Sequence, residues 1–197
     1  IGSNIAPTPF TTSVGTTSYF VSQTVNGCEG PRAEIVVEVT GQPSLPIVNS
    51  PISYCLNDNA SPLTANGDGL LWYDVPTGGT GSNIAPTPST STTGFTSYYV
   101  SQTVNGCEGD RAEIIVEIID LPGAPNATSP IDYCTGDVAS QLMATGDGLL
   151  WYDTPTGGTG SNTAPTPSTA SVGSTTFYVS QTINNCEGPR TPIVVNI

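Results

Sequence analysis

Thr96-Ser97-Tyr98-Tyr99-Val100-Ser101-Gln102-Thr103-Val104-Asn105-Gly106-Cys107-Glu108-Gly109-Asp110-Arg111-Ala112-Glu113-Ile114-Ile115-Val116-Glu117-Ile118 reads as two β-strands joined by a tight turn. Asn105-Gly106 is the strongest short hairpin signal, because both central residues of such a turn must take positive φ. After the turn, Ala112, Ile114, Val116 and Ile118 point one way, and Glu113, Ile115 and Glu117 point the other. That alternation is the mark of a half-buried antiparallel strand. Before the turn, Thr96 to Val104 places Tyr98, Val100 and Val104 on one face. Gln102 shares that apolar face. It is expected to be hydrogen-bonded or at the sheet margin, since an unpaired buried amide costs about 1–3 kcal/mol.

The same text recurs. Gln23-Thr24-Val25-Asn26-Gly27-Cys28-Glu29-Gly30 returns at 102 and, with changes, at 181; Gly2 to Pro9 returns at 81 and, with Thr163 in place of the isoleucine, at 160. The step is 79 each time, and residues 67–118 match 146–197 at 37 of 52 positions without a gap. A 79-residue period exceeds helical and leucine-rich repeats and suits a small β-sandwich. Working through one unit, Ile52 to Cys55 is a first strand, Leu63 to Ala65 begins a second, and Leu70 to Tyr73 is a central strand. Asn66-Gly67-Asp68-Gly69 and Pro76 to Gly81 are turns, and Ala85-Pro86-Thr87-Pro88 is an extended edge. No segment shows a helical period with caps. The expected fold is all-β: tandem immunoglobulin-like sandwich repeats. Twice 79 leaves 39 of the 197 residues. The expected domains are therefore 1–39, the C-terminal half of a repeat, then 40–118 and 119–197 as complete repeats, cut from a longer array. Thr40 to Pro51 and Asp120 to Pro130 are short connectors whose prolines should limit bending.

Composition narrows the function. The chain carries 16 acids, three arginines, no lysine and no histidine, for a net charge of −13. It cannot neutralise a phosphate backbone, so nucleic-acid binding is excluded, and anionic membrane surfaces repel it. No run of about 18 apolar residues could form a spanning helix. Histidine-based catalysis, lysine Schiff bases and a lysine phosphate loop are unavailable. The charge divides as −6 over 40–118 (seven acids, one arginine) and −5 over 119–197 (six acids, one arginine). Spread this way, it opposes edge-to-edge aggregation of near-identical neighbours.

Five cysteines occupy only two repeat positions. Repeat logic pairs Cys55 with Cys107 and Cys134 with Cys186, and leaves Cys28 single. The rival pairs Cys28 with Cys55 and Cys107 with Cys134, stapling neighbours. The intradomain set is preferred, because an antiparallel sandwich sends the hairpin to the end opposite the domain's C-terminus. Such a loop would contribute about 4 kcal/mol in the chain-entropy model. Disulfides imply an oxidising compartment. No C-x-x-C and no histidine support a metal site.

Other polar clusters have plain structural readings. Asp58, Asp68 and Asp74, with Asp137, Asp147 and Asp153, lie in loops. Loop carboxylates suit calcium, but aspartates also cap turns through their own backbone, and turn chemistry is preferred. Glu29-Gly30-Pro31-Arg32 and its copies suggest a local ion pair that fixes the turn, worth about 0–1 kcal/mol where exposed. Trp72 is expected in the core, while the outward ring of each Tyr pair (Tyr73, Tyr98, Tyr99) is the better candidate for a sugar-stacking surface. Pro76 to Ser82 lacks the lysine of a phosphate loop. A thin sandwich gives paired carboxylates no cleft for glycoside hydrolysis. No cofactor is expected.

Tyr-Cys, Leu-Leu-Trp-Tyr, Pro-Thr-Gly-Gly-Thr-Gly-Ser, Ala-Pro-Thr-Pro-Ser-Thr and Tyr-Tyr-Val-Ser-Gln-Thr-Val-Asn-Gly-Cys-Glu together cover essentially the whole chain. This string resembles the tandem immunoglobulin-like repeats of giant cell-surface adhesins in Bacteroidota, of the SprB type used in gliding motility. The resemblance implies an extracellular, many-repeat protein exported by type IX secretion, with no enzymatic activity in this module. Its expected partners are adjacent repeats of the same chain, an extracellular polysaccharide or surface, and other copies through lateral self-association. The rival readings are a carbohydrate-binding module and a subunit of a self-assembling surface filament.

Overall fold

The structure is a computed structural model that describes residues 2–197. Among the described residues all regular structure is β-strand. The chain divides into two compact units, one built from the chain up to 48 with 64–84 and 98–113, the other from 49–63, 85–97 and 114–197. The middle repeat therefore contributes to both.

The second unit contains a complete repeat. Its main sheet orders the strands Ile131–Asp132, Thr191–Asn196, Ser174–Ser180 and Leu150–Tyr152. Ser174–Ser180 runs antiparallel to both neighbours, in register Val179↔Thr191 and Trp151↔Val179. A second layer is the pair Asn126–Ala127 and Ala144–Thr145. Between the layers, Leu142, Trp151, Val179, Ile193 and Val195 form the buried core, covered by Ala127, Ile131, Ala144 and Phe177. The period-2 alternation explains this directly: every second residue of each long strand faces the other layer.

The middle repeat has the same strand order: Ile52–Cys55, Ala112–Ile119, Gly94–Ser101, Leu71–Tyr73. Ala112, Ile114, Val116 and Ile118 are all buried, as their alternation predicts. The turn is as expected, with Asn105 at φ 51° and Gly106 at φ 78°, and short strands Thr103–Val104 and Cys107–Glu108 on either side. In the third repeat Asn184 and Asn185 hold the two positive-φ positions; Asn tolerates this region better than other side-chain-bearing residues.

Two expectations are corrected. Leu71–Tyr73 is the edge of its four-stranded sheet, not a central strand, although its outer side is closed by a two-way backbone bridge between Trp72 and Ser82. The second correction is the cysteine pairing. Ala85-Pro86-Thr87-Pro88 lies outside the named strands, and Pro86 accepts a hydrogen bond from the Leu63 amide.

The first strand of each repeat runs parallel to the last, in register Val116↔Ile52 through Ile119↔Cys55. Cys55 therefore sits at the C-terminal end of Ala112–Ile119, whereas Cys107 lies before its beginning. Seven residue steps separate those ends, about 24 Å at 3.4 Å per residue. A disulfide needs Cα atoms about 4.4–6.8 Å apart. Cys134 and Cys186 are separated in the same way, since Asp132 pairs with Asn196 at the far end of Thr191–Asn196. The expected bonds Cys55–Cys107 and Cys134–Cys186 are thus barred by topology. The structure instead joins Cys55 to Cys186, with Cα atoms 5.5 Å apart, and leaves Cys28, Cys107 and Cys134 as thiols.

The first unit contains the antiparallel pair Gly15–Val21 and Ala33–Val39, in register from Gly15↔Val39 to Val21↔Ala33. Its apolar face is open. Val21 is 53% exposed, while its repeat equivalents Val100 and Val179 are both 0% exposed.

Candidate functional site

The Cys55–Cys186 bond is assembled from two recurring local structures. The Tyr-Cys strand ends in a turn capped by aspartate: the Cys55 amide donates to Asp58 Oδ2 at 2.9 Å, and the Cys134 amide to Asp137 Oδ2 at 2.7 Å. Thr90 Oγ1 donates to the Asp58 carbonyl, and Thr169 Oγ1 to that of Asp137, both at 2.6 Å. Asp58 and Asp137 thus serve the turn. The other component is the hairpin. Asn184-Asn185 turns the chain so that Cys186 meets Cys55 beside Ile119. A small cavity of 210 Å³ adjoins the bond, lined also by Tyr54 and Asp58.

A second constellation recurs on the outer face of each complete repeat. Tyr73 Oη donates to Glu108 Oε1 at 2.6 Å, and Ser101 Oγ donates to the same oxygen at 2.6 Å. The Arg111 guanidinium lies 3.2 Å from the Tyr73 ring centroid and donates to the Val75 carbonyl at 2.8 Å. Tyr152, Glu187, Ser180 and Arg190 repeat the arrangement, with Arg190 over the Tyr152 ring at 3.2 Å. The Ser101 and Tyr73 hydroxyls hold the Glu108 carboxyl below the usual carboxylate range. Burial, then the bond to Glu108, pushes the Tyr73 phenol up. All these groups are engaged in packing: the tyrosine is 7% exposed and its ring is capped by arginine.

The expected Glu–Arg pair is present at Glu29 and Arg32, 3.3 Å apart and exposed, and again at Glu187 and Arg190, 3.9 Å apart. In the complete repeats the arginine also stacks on the tyrosine ring, and the glutamate accepts from two hydroxyls. One reading is revised. Tyr73 is buried rather than an outward sugar platform, because Gly81 leaves room for its hydroxyl; a Cβ there would sit 2.6 Å from Tyr73 Oη. Trp72 is core, as expected, at 5% exposed. Tyr98 and Tyr99 are half-buried, and Tyr99 donates to Glu113.

Gln102 is a clamp that the alternation alone could not specify. Its Oε1 accepts from the Asp68 amide at 3.0 Å and its Nε2 donates to the Ser44 carbonyl at 2.8 Å. Gln181 does the same between Asp147 and Gly123. Each glutamine ties a connector to the turn and strand of the repeat that follows it. The signal in the sequence was an amide conserved between copies on an apolar face.

A groove of 630 Å³ is lined by Pro7, Tyr19, Val21, Ile35 and Val37. Val100, Ile114 and Val116, the equivalents of its valines and isoleucine, are core residues, so it is an uncovered core face rather than a cleft with convergent chemistry. Among the described residues no group of three or more His, Cys, Asp or Glu is placed to hold a metal ion.

These features define a class, the immunoglobulin-like tandem repeat stapled by a disulfide. The family model described as Ig-like domain CHU_C associated matches residues 43–119 and again 122–197, and the chain belongs to that family. No curated protein matches the chain. Among solved structures, human mucin-like protocadherin EC1-2 aligns over 77% of this chain and 97% of its own, with 16% identity and a TM-score of 0.28. Mouse cadherin-23 EC22-24 aligns over 92% of this chain and 73% of its own, with 9% identity and a TM-score of 0.26. A Bacteroides ovatus glucan-utilisation protein, SGBP-B, aligns over 93% of this chain and 53% of its own, with 12% identity and a TM-score of 0.22.

Proposed function

We propose that the chain is a structural and adhesive module of a long extracellular cell-surface adhesin, serving gliding motility or surface attachment and exported by type IX secretion. In this reading 1–39 is the C-terminal half of a repeat, and 40–118 and 119–197 are complete ones. The observation that carries it is the covalent bond from the middle repeat to the next, Cys55 to Cys186. A staple between repeats serves a module that bears load along a chain. The titratable groups support a non-enzymatic role, since Tyr73, Glu108 and Arg111 are used in holding one another. The acidic surface favours partners other than nucleic acid or anionic membrane. Adjacent repeats are the first partners, and an extracellular polysaccharide or surface the second.

The test is antibody labelling of intact cells, with attachment under flow and gliding speed measured after the repeats are deleted. Surface labelling and a loss of attachment or gliding are expected. Antigen confined to the cell interior, or unchanged attachment and gliding, would overturn the reading. Glycan-array binding by the purified chain that disappears on substituting Tyr98 and Tyr99 would instead make it a carbohydrate-binding module. Laterally paired chains in electron micrographs would make it a filament subunit.

A further inference from the structure

We infer that Cys107 and Cys134 are two open halves of the same staple, each built to bond a further repeat of this kind in tandem. Cys55 is the Tyr-Cys position of one repeat and Cys186 the hairpin position of the next, 131 residues on. Shifted by one period, Cys134 takes the role of Cys55, and Cys107 that of Cys186. The strand polarity makes the rule general. The parallel first strand carries its cysteine to the C-terminal end of its own repeat, where the chain leaves for the next one. The connector then runs beside the hairpin of the repeat that follows. Gln42 Nε2 donates to Asp110 Oδ1 at 2.9 Å, and a Cβ on Gly109 would sit 2.8 Å from the Pro43 carbonyl oxygen.

A second observation places Cys107 independently. Its sulfur lies 3.3 Å from Thr40 Oγ1. Thr40 is the repeat equivalent of Ile119, the residue in register with Cys55. Cys107 thus lies against the end of the preceding repeat's last strand, at the place where a Tyr-Cys strand paired to Ala33–Val39 would deliver its sulfur. Cys134 stands at the head of the same aspartate-capped turn as its bonded counterpart, with its amide held by Asp137 as that of Cys55 is by Asp58. Closing each staple removes two protons and two electrons from two thiols and forms one sulfur–sulfur bond. The acceptor is a disulfide oxidant of the thiol–disulfide exchange class, which leaves as two thiols.

The inference rests on the staple and is independent of the adhesive reading. The test appends a second copy of residues 119–197 to the C-terminus, followed by nonreducing peptide mapping after oxidative folding. Cys55 linked to Cys186, and Cys134 linked to the appended hairpin cysteine, are expected. Free thiols should then stay at three, as in the parent chain, and Cys134→Ser should raise them to four by freeing the appended hairpin cysteine. If the second staple does not form, the extended chain shows five thiols and Cys134→Ser lowers them to four. That result overturns the inference, as does Cys134 bonded to Cys186 or to any cysteine within its own repeat. Absence of the Cys55–Cys186 bond in the extended chain overturns it too.

Discussion

Gly81 and Glu108 show how few atoms decide the outer face of a repeat. A methyl group at Gly81 would occupy the site of the Tyr73 hydroxyl, 2.6 Å away, and the same holds for Gly160 and Tyr152. Gly81→Ala should therefore eject the ring from beneath Arg111 and lower stability by about 1–3 kcal/mol, as overpacking does, read by chemical denaturation. Glu108 links the cluster to pH. Its carboxyl is held low by Ser101, then Tyr73. A lowered carboxyl contributes stability that is present above its unfolded value and lost as pH falls through the folded one. Tyr73 is raised, so its contribution is present below the unfolded phenol value and lost as pH climbs through the folded one. Melting temperature should be flat in between, fall below about pH 4 and fall again above about pH 10. Glu108→Gln should shallow the acid limb; an unchanged acid slope by circular dichroism would contradict this.

The connector and hairpin behave as one element because Gln102 bonds to both sides. Replacing it by Leu leaves the Asp68 amide and Ser44 carbonyl without their partner. Loss of those bonds should cost about 1–3 kcal/mol, and hydrogen exchange should quicken at Asp68. Uniform protection at Asp68 in wild type and variant would show that the clamp is idle. The hairpin itself was legible from Asn105-Gly106, because turn chemistry is local. The role of Gln102 was only half legible. Its face and its need for a partner follow from alternation, but the partners lie 34 and 58 residues away.

Across the whole molecule the staple encloses the chain between Cys55 and Cys186. Cys55→Ser should lower stability by about 2–5 kcal/mol, the usual cost of losing a native disulfide. It should also raise the free thiols from three to four. Under force the oxidised protein cannot release the 131-residue span, which corresponds to roughly 430–470 Å of contour at 3.3–3.6 Å per residue. Single-molecule extension should gain that length on reduction. Equal contour lengths before and after reduction would show that the bond does not form.

Taken alone, the sequence determined the fold class, the repeat length, the long strands and the buried face of each. These depend on period-2 patterning and turn residues, which act over a few positions. It also determined the acidic, lysine-free surface carried by each copy. The tertiary structure decided which cysteines meet. Pairing by repeat membership assumes that two cysteines of one unit lie near each other. The parallel first strand defeats this by carrying Cys55 to the end opposite Cys107 and into reach of Cys186. Strand direction in a sheet is a long-range property, set by which edges pair, and no local pattern at Tyr54-Cys55 records it.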